Sequence, residues 1–184
     1  METARLILRP WREADFKPYA ELNADPQVRR FFPSLLTEAE SFAQAASIRD
    51  AIVQRGWGFW AVELKQTNEF IGFVGLNQVD ADSGISNAPL VEIGWRLAAA
   101  HWGKRFAPEA GHAALDFAFH KLAITDVYTF TPLTNEPSIR VMRKLGMSDT
   151  GSNFNHPKLP SGHPLECHCL YKISDKDFLR LSVS

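Results

Sequence analysis

The chain has 184 residues, of which 45% are hydrophobic, 22% are charged and 11% are aromatic. This length favours a single domain over residues 1–184, and the composition is that of an ordered globular protein with a sizeable core. The formal net charge of −1 argues against the basic surface from which nucleic-acid binders gain their affinity. No apolar run is long enough to span a membrane and the first residues lack a signal-peptide core, so we expect no membrane partner. The two cysteines cannot build a disulfide framework, so we expect a cytoplasmic location.

Seven segments of five to eight residues, most of them rich in apolar side chains, are predicted to be the strands of one sheet. They lie at residues 5–9, 59–64, 70–76, 90–97, 126–131, 148–154 and 166–173. A polar turn at residues 66–68 joins the second run to the third, which predicts a hairpin there. A polar loop at residues 80–89 precedes the fourth run.

Helical spacing of apolar residues, together with terminal signals, predicts the helices. They lie at residues of about 13–23, 37–56, 108–121, 135–146 and 174–181. The second is marked most clearly, because Thr37 and Glu40 have the spacing of a capping box and Gly56 ends the pattern. Residues 26–33 are predicted to be irregular, since a proline stands at each end. Together with the strands, these helices predict an α/β or α+β domain built on one sheet.

The segment between the strand at 90–97 and the helix at 108–121 is the most informative part of the sequence. It contains Gly103, which lets the backbone approach a ligand closely, and the cations Lys104 and Arg105. The helix that follows offers free N–H groups and the positive end of its dipole. These features predict an anion or phosphate site, although any strand-to-helix turn can hold a glycine and a lysine. The chain lacks Gly-x-Gly-x-x-Gly and a Gly-Lys-Ser/Thr ending, so no dinucleotide or P-loop site is expected.

Several motifs carry a resemblance to a known family. Trp102-Gly103-Lys104-Arg105-Phe106-Ala107 resembles the pyrophosphate loop of the GNAT acetyltransferase superfamily, Gln/Arg-x-x-Gly-x-Gly/Ala. The strand at 91–97 is similar to the family's fourth strand, and Asn135-Glu136-Pro137-Ser138 resembles its Asn-x-x-Ser element. The branch that acetylates ribosomal-protein N-termini (RimJ/RimL-type) is similar at residues 5–11, 60–62, 70–76 and 156–159. The resemblance therefore covers nearly the whole chain.

The resemblance implies a fold and a reaction. The GNAT fold is a mixed, mostly antiparallel sheet of about seven strands, splayed between the fourth and fifth and flanked by about four helices. The reaction is the transfer of an acetyl group from acetyl-CoA to a primary amine, by direct attack in a ternary complex and without a metal. A homodimer is compatible with the family.

The branch points to a protein N-terminal α-amine as the acceptor. An α-amine has a pKa of about 7.7–8.0 and is neutral at pH 7 far more often than lysine, with a pKa of about 10.4. A small amine such as a polyamine, an amino acid or an antibiotic is the alternative acceptor. A non-catalytic acyl-CoA-binding module on the same fold is the alternative from another class.

The resemblance also assigns roles to individual residues. Glu92 is the candidate general base, Ser138 the candidate acid for the leaving thiolate, and His156 a further candidate base or amine-orienting group. The residues implied to bind the cofactor are Ile93, Trp95, Leu97, Trp102, Gly103, Lys104, Arg105, Phe106, Ala107, Asn135 and Ser138. Ordinary structural roles are open for the same residues: a strand glutamate facing solvent, a helix cap at Asn135 and a first-turn serine at Ser138.

Two residues of the loop depart from the family pattern. Trp102 stands where the family often has Gln or Arg, and Arg105 replaces a glycine, which leaves the backbone path at this position open. Arginine is itself a good phosphate partner. We therefore still expect the loop to bind the cofactor.

Histidines and cysteines in the last third raise the question of zinc, namely His156, His163, Cys167, His168 and Cys169. On a strand, however, His168 would point away from the two cysteines, and the chain has no second cysteine pair. We therefore expect no metal.

A basic and aromatic segment, residues 29–32, is the last feature of note. Its sequence is Arg-Arg-Phe-Phe. It falls where the acceptor groove of the family opens, and a solvated loop with anchoring aromatic residues is the alternative.

Overall fold

The computed structural model describes residues 1–181. Within them the strands are β1 (Leu6–Arg9), β2 (Phe59–Leu64), β3 (Phe70–Val79), β4 (Leu90–Leu97), β5 (Asp126–Pro132), β6 (Ser148–Asp149), β7 (Phe154–Asn155) and β8 (Cys167–Ser174). The α-helices are α1 (Phe16–Ala24), α2 (Pro26–Arg29), α3 (Glu38–Arg55), α4 (Phe106–His120), α5 (Glu136–Lys144) and α6 (Asp175–Leu181). None of these helices is long and apolar enough to cross a membrane.

The chain divides into two compact units. The first consists of residues 1–76 and 94–113, and the second of residues 77–93 together with the chain from residue 114 onward. Three elements, β3, β4 and α4, begin in one unit and end in the other. The candidate site residues are therefore described unit by unit below.

In the first unit the strands follow the order β1-β2-β3-β4. β2 pairs antiparallel with both β1 and β3. Next to β4 the backbone comes close at Gly72, where a Cβ atom would lie 2.1 Å from the carbonyl oxygen of Arg96. Only glycine fits this approach, and its φ of 132° is one that other residues rarely adopt. The aromatic core here includes Trp11 and Tyr19, whose ring centroids are 5.0 Å apart in a T-shaped contact.

In the second unit β4, β5 and β8 are neighbours, and both β6 and β7 pair with β8. β5 pairs antiparallel with β8 from one end to the other. By contrast, β4 and β5 form a parallel pair over two positions only, Val91 with Val127 and Glu92 with Tyr128. Ile93, the next residue of β4 in this unit, pairs with no residue of β5. The sheet is thus mixed and mostly antiparallel, and its parallel pairing ends at Glu92.

Most predicted elements are confirmed, and the differences have local causes. Residues 26–29 form α2 rather than an irregular stretch, because Asp25 accepts a hydrogen bond from the Gln27 N–H at 2.8 Å and Pro26 suits a first helical turn. The predicted strand at 148–154 is two separate short strands, β6 and β7. The described residues therefore contain eight strands and six α-helices, against the seven strands and five helices predicted from the residue pattern and the seven or so strands and four or so helices implied by the resemblance.

Candidate active site

Residues 102–107 form a loop that leads into α4, all within the first unit. The Trp102 Nε1–H donates to the carbonyl oxygen of Leu97 at 2.8 Å, which anchors the loop to the end of β4. Residues 102–105 are exposed, whereas Phe106 is buried. Among the described residues, the backbone N–H groups of 103–107 have no hydrogen-bond partner. Such a run of unpaired N–H groups at the start of a helix is a site for an anion.

The backbone of this loop has the shape of an anion nest. Gly103 has a φ of 75° and Arg105 a φ of 64°, while Lys104 between them is not in the left-handed region. This alternation turns successive N–H groups toward a common centre. A Cβ atom on Gly103 would meet nothing within 4 Å, so the space beside the loop is open. The loop therefore fits a pyrophosphate, with Lys104 and Arg105 supplying positive charge.

Glu92 lies in the second unit, at the last position of β4 that pairs with β5. Burial raises the pKa of its carboxyl to about 7, although the Asn77 hydrogen bond and the charge of Lys158 both lower it. The Asn77 Nδ2–H donates to Glu92 Oε2 at 3.5 Å. A group with this pKa takes up and releases protons near neutral pH, as a general base must.

Asn135 and Ser138 stand at the start of α5, also in the second unit. Asn135 caps this helix, because its Oδ1 accepts from the Ser138 backbone N–H at 3.3 Å. Its Nδ2 donates to Thr131 Oγ1 at 2.8 Å, which fixes the plane of the amide. One N–H of that amide and the hydroxyl of Ser138 have no hydrogen-bond partner within residues 1–181 and remain able to donate to a ligand.

His156 lies in an aromatic cluster of the second unit, with its ring centroid 4.9 Å from that of His168 and 5.9 Å from that of Phe130. The Lys158 backbone N–H donates to its Nδ1 at 3.2 Å, so the neutral ring carries its proton on Nε2. Burial, helped by the charges of His168 and Lys158, lowers the pKa of His156 to about 4. Because the Lys158 charge acts on both Glu92 and His156, these two side chains lie in one neighbourhood of this unit.

Comparison with known proteins identifies the family. The family model described as "Acetyltransferase (GNAT) domain" matches residues 5–148. This chain belongs to the GNAT acetyltransferases. Its mixed α/β architecture is the GNAT fold, as the resemblance of its motifs implied.

Three similar proteins illustrate this relationship. "Uncharacterized N-acetyltransferase p20" of Bacillus licheniformis is 29% identical over 153 residues, which cover 81% of the chain and 82% of that protein. A GNAT-family acetyltransferase from Bacillus anthracis has a TM-score of 0.80 at 22% identity, covering 96% of the chain and 98% of that structure. The spermidine N-acetyltransferase from Vibrio cholerae in complex with CoA and spermine has a TM-score of 0.73 at 20% identity, covering 95% and 98%. At these identities the two structures show the fold alone.

The remaining predicted cofactor residues of the GNAT chain lie on β4. Ile93, in the second unit, and Leu97, in the first, have buried side chains, so only their backbone groups can contact a cofactor. Trp95, in the first unit, is half-buried. The carbonyl of Leu97 already accepts the Trp102 hydrogen bond, which leaves it less free to bind a ligand.

Two residues that act on Glu92 in this GNAT chain were not predicted from the sequence, Asn77 through a hydrogen bond and Lys158 through its charge. Asn77 is the first polar residue of β3, which is apolar up to that point, and this break in the pattern was the available signal. Lys158 lies in a loop, and no sequence pattern indicates which strand faces it. Within residues 1–181, no group of three or more His, Cys, Asp or Glu side chains is placed to hold a metal ion.

Replacing Arg105 by glycine separates backbone strain from phosphate binding at the position where this GNAT loop departs from its family. A side chain in the left-handed region is strained by about 1 kcal/mol, so Arg105→Gly should raise the free energy of unfolding by up to that amount. Loss of the guanidinium should weaken CoA binding by about 1.5–3 kcal/mol, and the loss should shrink at high salt. Urea unfolding and calorimetry at low and high ionic strength measure the two effects.

Asn68→Gly is the matched control for this variant. Asn68 lies in the turn between β2 and β3 and has a φ of 56°, so it has the same left-handed backbone, which asparagine adopts at a smaller cost than arginine. Its replacement should raise stability by less than that of Arg105 and leave CoA binding unchanged. Tighter CoA binding by Arg105→Gly than by the natural protein would show that Arg105 holds the loop amides away from the phosphates.

Proposed function

We propose that this GNAT chain transfers the acetyl group of acetyl-CoA to a primary amine, most specifically the N-terminal α-amine of a protein. The observation that carries the proposal is the run of unpaired N–H groups at residues 103–107, which fits the pyrophosphate of acetyl-CoA. Membership of the GNAT family supports the same donor. The resemblance to the RimJ/RimL-type branch supports the α-amine.

The pKa of Glu92 supports an α-amine as well. A general base with a pKa of about 7 is closely matched to an α-ammonium group with a pKa of about 7.7–8.0, so proton transfer between them is nearly balanced. A lysine side chain, with a pKa of about 10.4, would give up its proton to this base far less readily. His156 fits the role of base less well, because its proton-free nitrogen is occupied by the Lys158 N–H.

Acetyl transfer then needs two bond changes at the thioester. The neutral amine nitrogen attacks the carbonyl carbon, the C–S bond breaks, and CoA leaves as a thiolate. The Ser138 hydroxyl gives its proton to that sulfur and regains one from solvent, while Glu92 accepts the proton that the amine loses and releases it to solvent. Direct attack is proposed because Cys169 is buried and burial raises the pKa of its thiol, the opposite of an activated nucleophile.

Thermal unfolding tests the cofactor part of the proposal. Acetyl-CoA and CoA should raise Tm, since a ligand at a hundredfold excess over Kd stabilises the native state by about 2.7 kcal/mol. NAD and ATP at the same concentration should raise it much less. Equal shifts from all of these compounds would mean a general anion effect and would contradict a CoA site.

A mass-spectrometric acceptor screen tests the transfer itself. Acetyl-CoA is offered with peptides that have free N-termini, with amino acids, polyamines and aminoglycosides, and acetylated products are identified. Acetylation of peptide α-amines above the other acceptors is the expected result. Preference for a polyamine or an aminoglycoside would identify a small-molecule enzyme, and CoA binding with no product from any amine would identify a non-catalytic binding module.

A further inference from the structure

Glu92 and two histidines lie on one face of the sheet in the second unit. In the strand register Glu92 is opposite Tyr128, and His168 is opposite Pro132. Tyr128 and Pro132 are four residues apart on β5, so both pairs project to the same face. At about 3.3 Å per residue, the two pairs are about 13 Å apart along the sheet. His156 lies on this face as well, because its ring contacts that of His168.

The two faces of β5 and β8 differ in how far they are covered. On the opposite face Thr131 and Cys169 are buried, and the Thr131 hydroxyl accepts a hydrogen bond from Asn135 at the start of α5. On the face of Glu92, by contrast, Phe130 is only half-buried. An acceptor whose amine reaches Glu92 therefore lies along this second face.

Backbone hydrogen bonds fix the two imidazole rings in opposite tautomers. His156 Nδ1 accepts from the Lys158 N–H at 3.2 Å, so its neutral ring carries the proton on Nε2. His168 Nδ1 donates to the Glu166 carbonyl at 3.0 Å, so the Nε2 of its neutral ring is free of a proton. Burial lowers the pKa of both rings, which favours their neutral forms. One ring therefore offers a hydrogen-bond donor and the other an acceptor.

The protein itself uses neither Nε2 atom. Within residues 1–181 neither has a hydrogen-bond partner, and neither is sealed off from solvent. The two rings are in contact, with centroids 4.9 Å apart, but the Nε2–H of His156 does not donate to the Nε2 of His168. Phe130 and Phe154 pack against the His168 ring at centroid distances of 6.2 and 5.8 Å, which restrains its orientation. A donor and an acceptor on neighbouring rings are thus both available to a ligand.

We propose that His156 and His168 bind the main chain of the acceptor, which is an extended N-terminal segment of a protein at least about four residues long. The inference rests on the proposed function, which supplies the α-amine and its base. An extended chain presents N–H and C=O groups in alternation, so His168 accepts from an N–H and His156 donates to a C=O. With the α-amine at Glu92, a distance of about 13 Å corresponds to about four extended residues. A polyamine has no carbonyl for His156 and would be repelled by Lys158, whose charge acts on both Glu92 and His156.

A series of peptide amides tests the length that the structure implies. Alanine peptide amides of two to six residues share one kind of α-amine and differ in how far the chain extends from it. We expect kcat/KM to rise about 30-fold between two and five residues, through KM, since two hydrogen bonds of ordinary strength together have about this effect. A kcat/KM that does not change with length, or that is higher for spermidine than for every peptide, would overturn the inference.

Three histidine-to-asparagine variants connect this rise to the two rings. In His156→Asn and His168→Asn the amide can keep the backbone hydrogen bond that Nδ1 makes, while Nε2 is removed. Each should lower the ratio of pentapeptide to dipeptide kcat/KM about 5-fold, the effect of one hydrogen bond. His163→Asn is the matched control, because His163 Nδ1 accepts the Leu165 N–H at 3.1 Å in the same way, and its ratio should not change. An equal loss at both lengths in His156→Asn and His168→Asn would show a structural role and overturn the inference.

A binding measurement on the natural protein keeps the inference separate from acetyl transfer. An N-acetylated pentaalanine amide, which has no free amine, is titrated into protein with ¹⁵N-labelled histidine, and the Nε2 resonances of His156 and His168 are followed. A saturable shift of both, with none at His163, is expected. If the peptide binds in this way but no amine is acetylated, the main-chain site stands and the proposed function fails. If amines are acetylated with no dependence on length and neither resonance shifts, the inference fails and the proposed function stands.

Discussion

Glu92→Gln is expected to lower kcat/KM by about 10²–10⁴-fold, the usual contribution of a general base. Glutamine keeps the size of the side chain and can still accept the Asn77 hydrogen bond, but it cannot take a proton. In the natural enzyme kcat/KM should fall as pH decreases through about 7, because Glu92 becomes protonated there. The residual activity of the variant should lack the Glu92 inflection and keep only that of the α-amine, at about 7.7–8.0. A pH profile of kcat/KM for both proteins measures the effect.

Glu92→Gln should lower turnover but raise the free energy of unfolding above pH 7. This opposite sign distinguishes the loss of a catalytic group from damage to the fold. The pKa of Glu92 is raised from 4.5 to about 7 by burial, so the folded state binds this proton more tightly than the unfolded state. That stabilising contribution is fully present below about pH 4.5 and is lost as pH rises through 7. Glutamine is neutral throughout, so Glu92→Gln should be more stable than the natural protein above pH 7 and similar to it in acid. A variant that is inactive and also less stable at high pH would contradict the assignment.

His156→Asn provides the comparison within the same unit. The Asn Oδ1 can accept the Lys158 N–H in place of Nδ1, so the local backbone is kept while the imidazole is removed. We expect a much smaller loss of turnover than for Glu92→Gln, because a histidine with a pKa of about 4 is neutral and holds its proton on Nε2. The reverse ranking would place the base at His156.

Features of the fold that depend on residues adjacent in sequence could be predicted from the sequence alone. The capping box of α3 is present as predicted, because Thr37 and Glu40 bond each other's backbone without help from the rest of the molecule. α2 was missed because the prolines were interpreted as breakers, although a proline after a capping Asp25 starts a helix as well as it stops one. The strand at 90–97 was predicted with its observed bounds, since its apolar run ends in a clear change of pattern.

Features of the candidate site that depend on distant residues could not be predicted. The hydrogen bond of Asn77 to Glu92 depends on the arrangement of β3 and β4, and the raised pKa of Glu92 depends on its burial. The ring contact of His156 with Phe130 joins parts of the chain far apart in sequence. The resemblance located the loop at 102–107, but only the structure shows that Arg105 adopts the left-handed backbone that a glycine would adopt most easily.

Ser138→Ala is expected to lower kcat by about 10²-fold, the lower end of the effect of a proton donor, and to leave the Kd of acetyl-CoA nearly unchanged. The substitution removes only the hydroxyl, which has no hydrogen-bond partner within residues 1–181, so Tm should not change. The cap of α5 survives because Asn135 binds the backbone N–H of Ser138 and not its side chain. Ser138→Thr keeps a hydroxyl at this position and should restore part of the lost turnover.

Asn135→Ala is the contrasting variant at the same helix start. It removes the cap and the Thr131 hydrogen bond together, so it should lower the free energy of unfolding by about 1 kcal/mol. It also removes the free amide N–H, so the Kd of acetyl-CoA should rise, whereas in Ser138→Ala it should not. Single-turnover kinetics and calorimetry on the two variants separate chemistry from binding. Full turnover of Ser138→Ala at every pH would show that Ser138 is only a first-turn helix residue, and that the thiolate takes its proton from another group or from water.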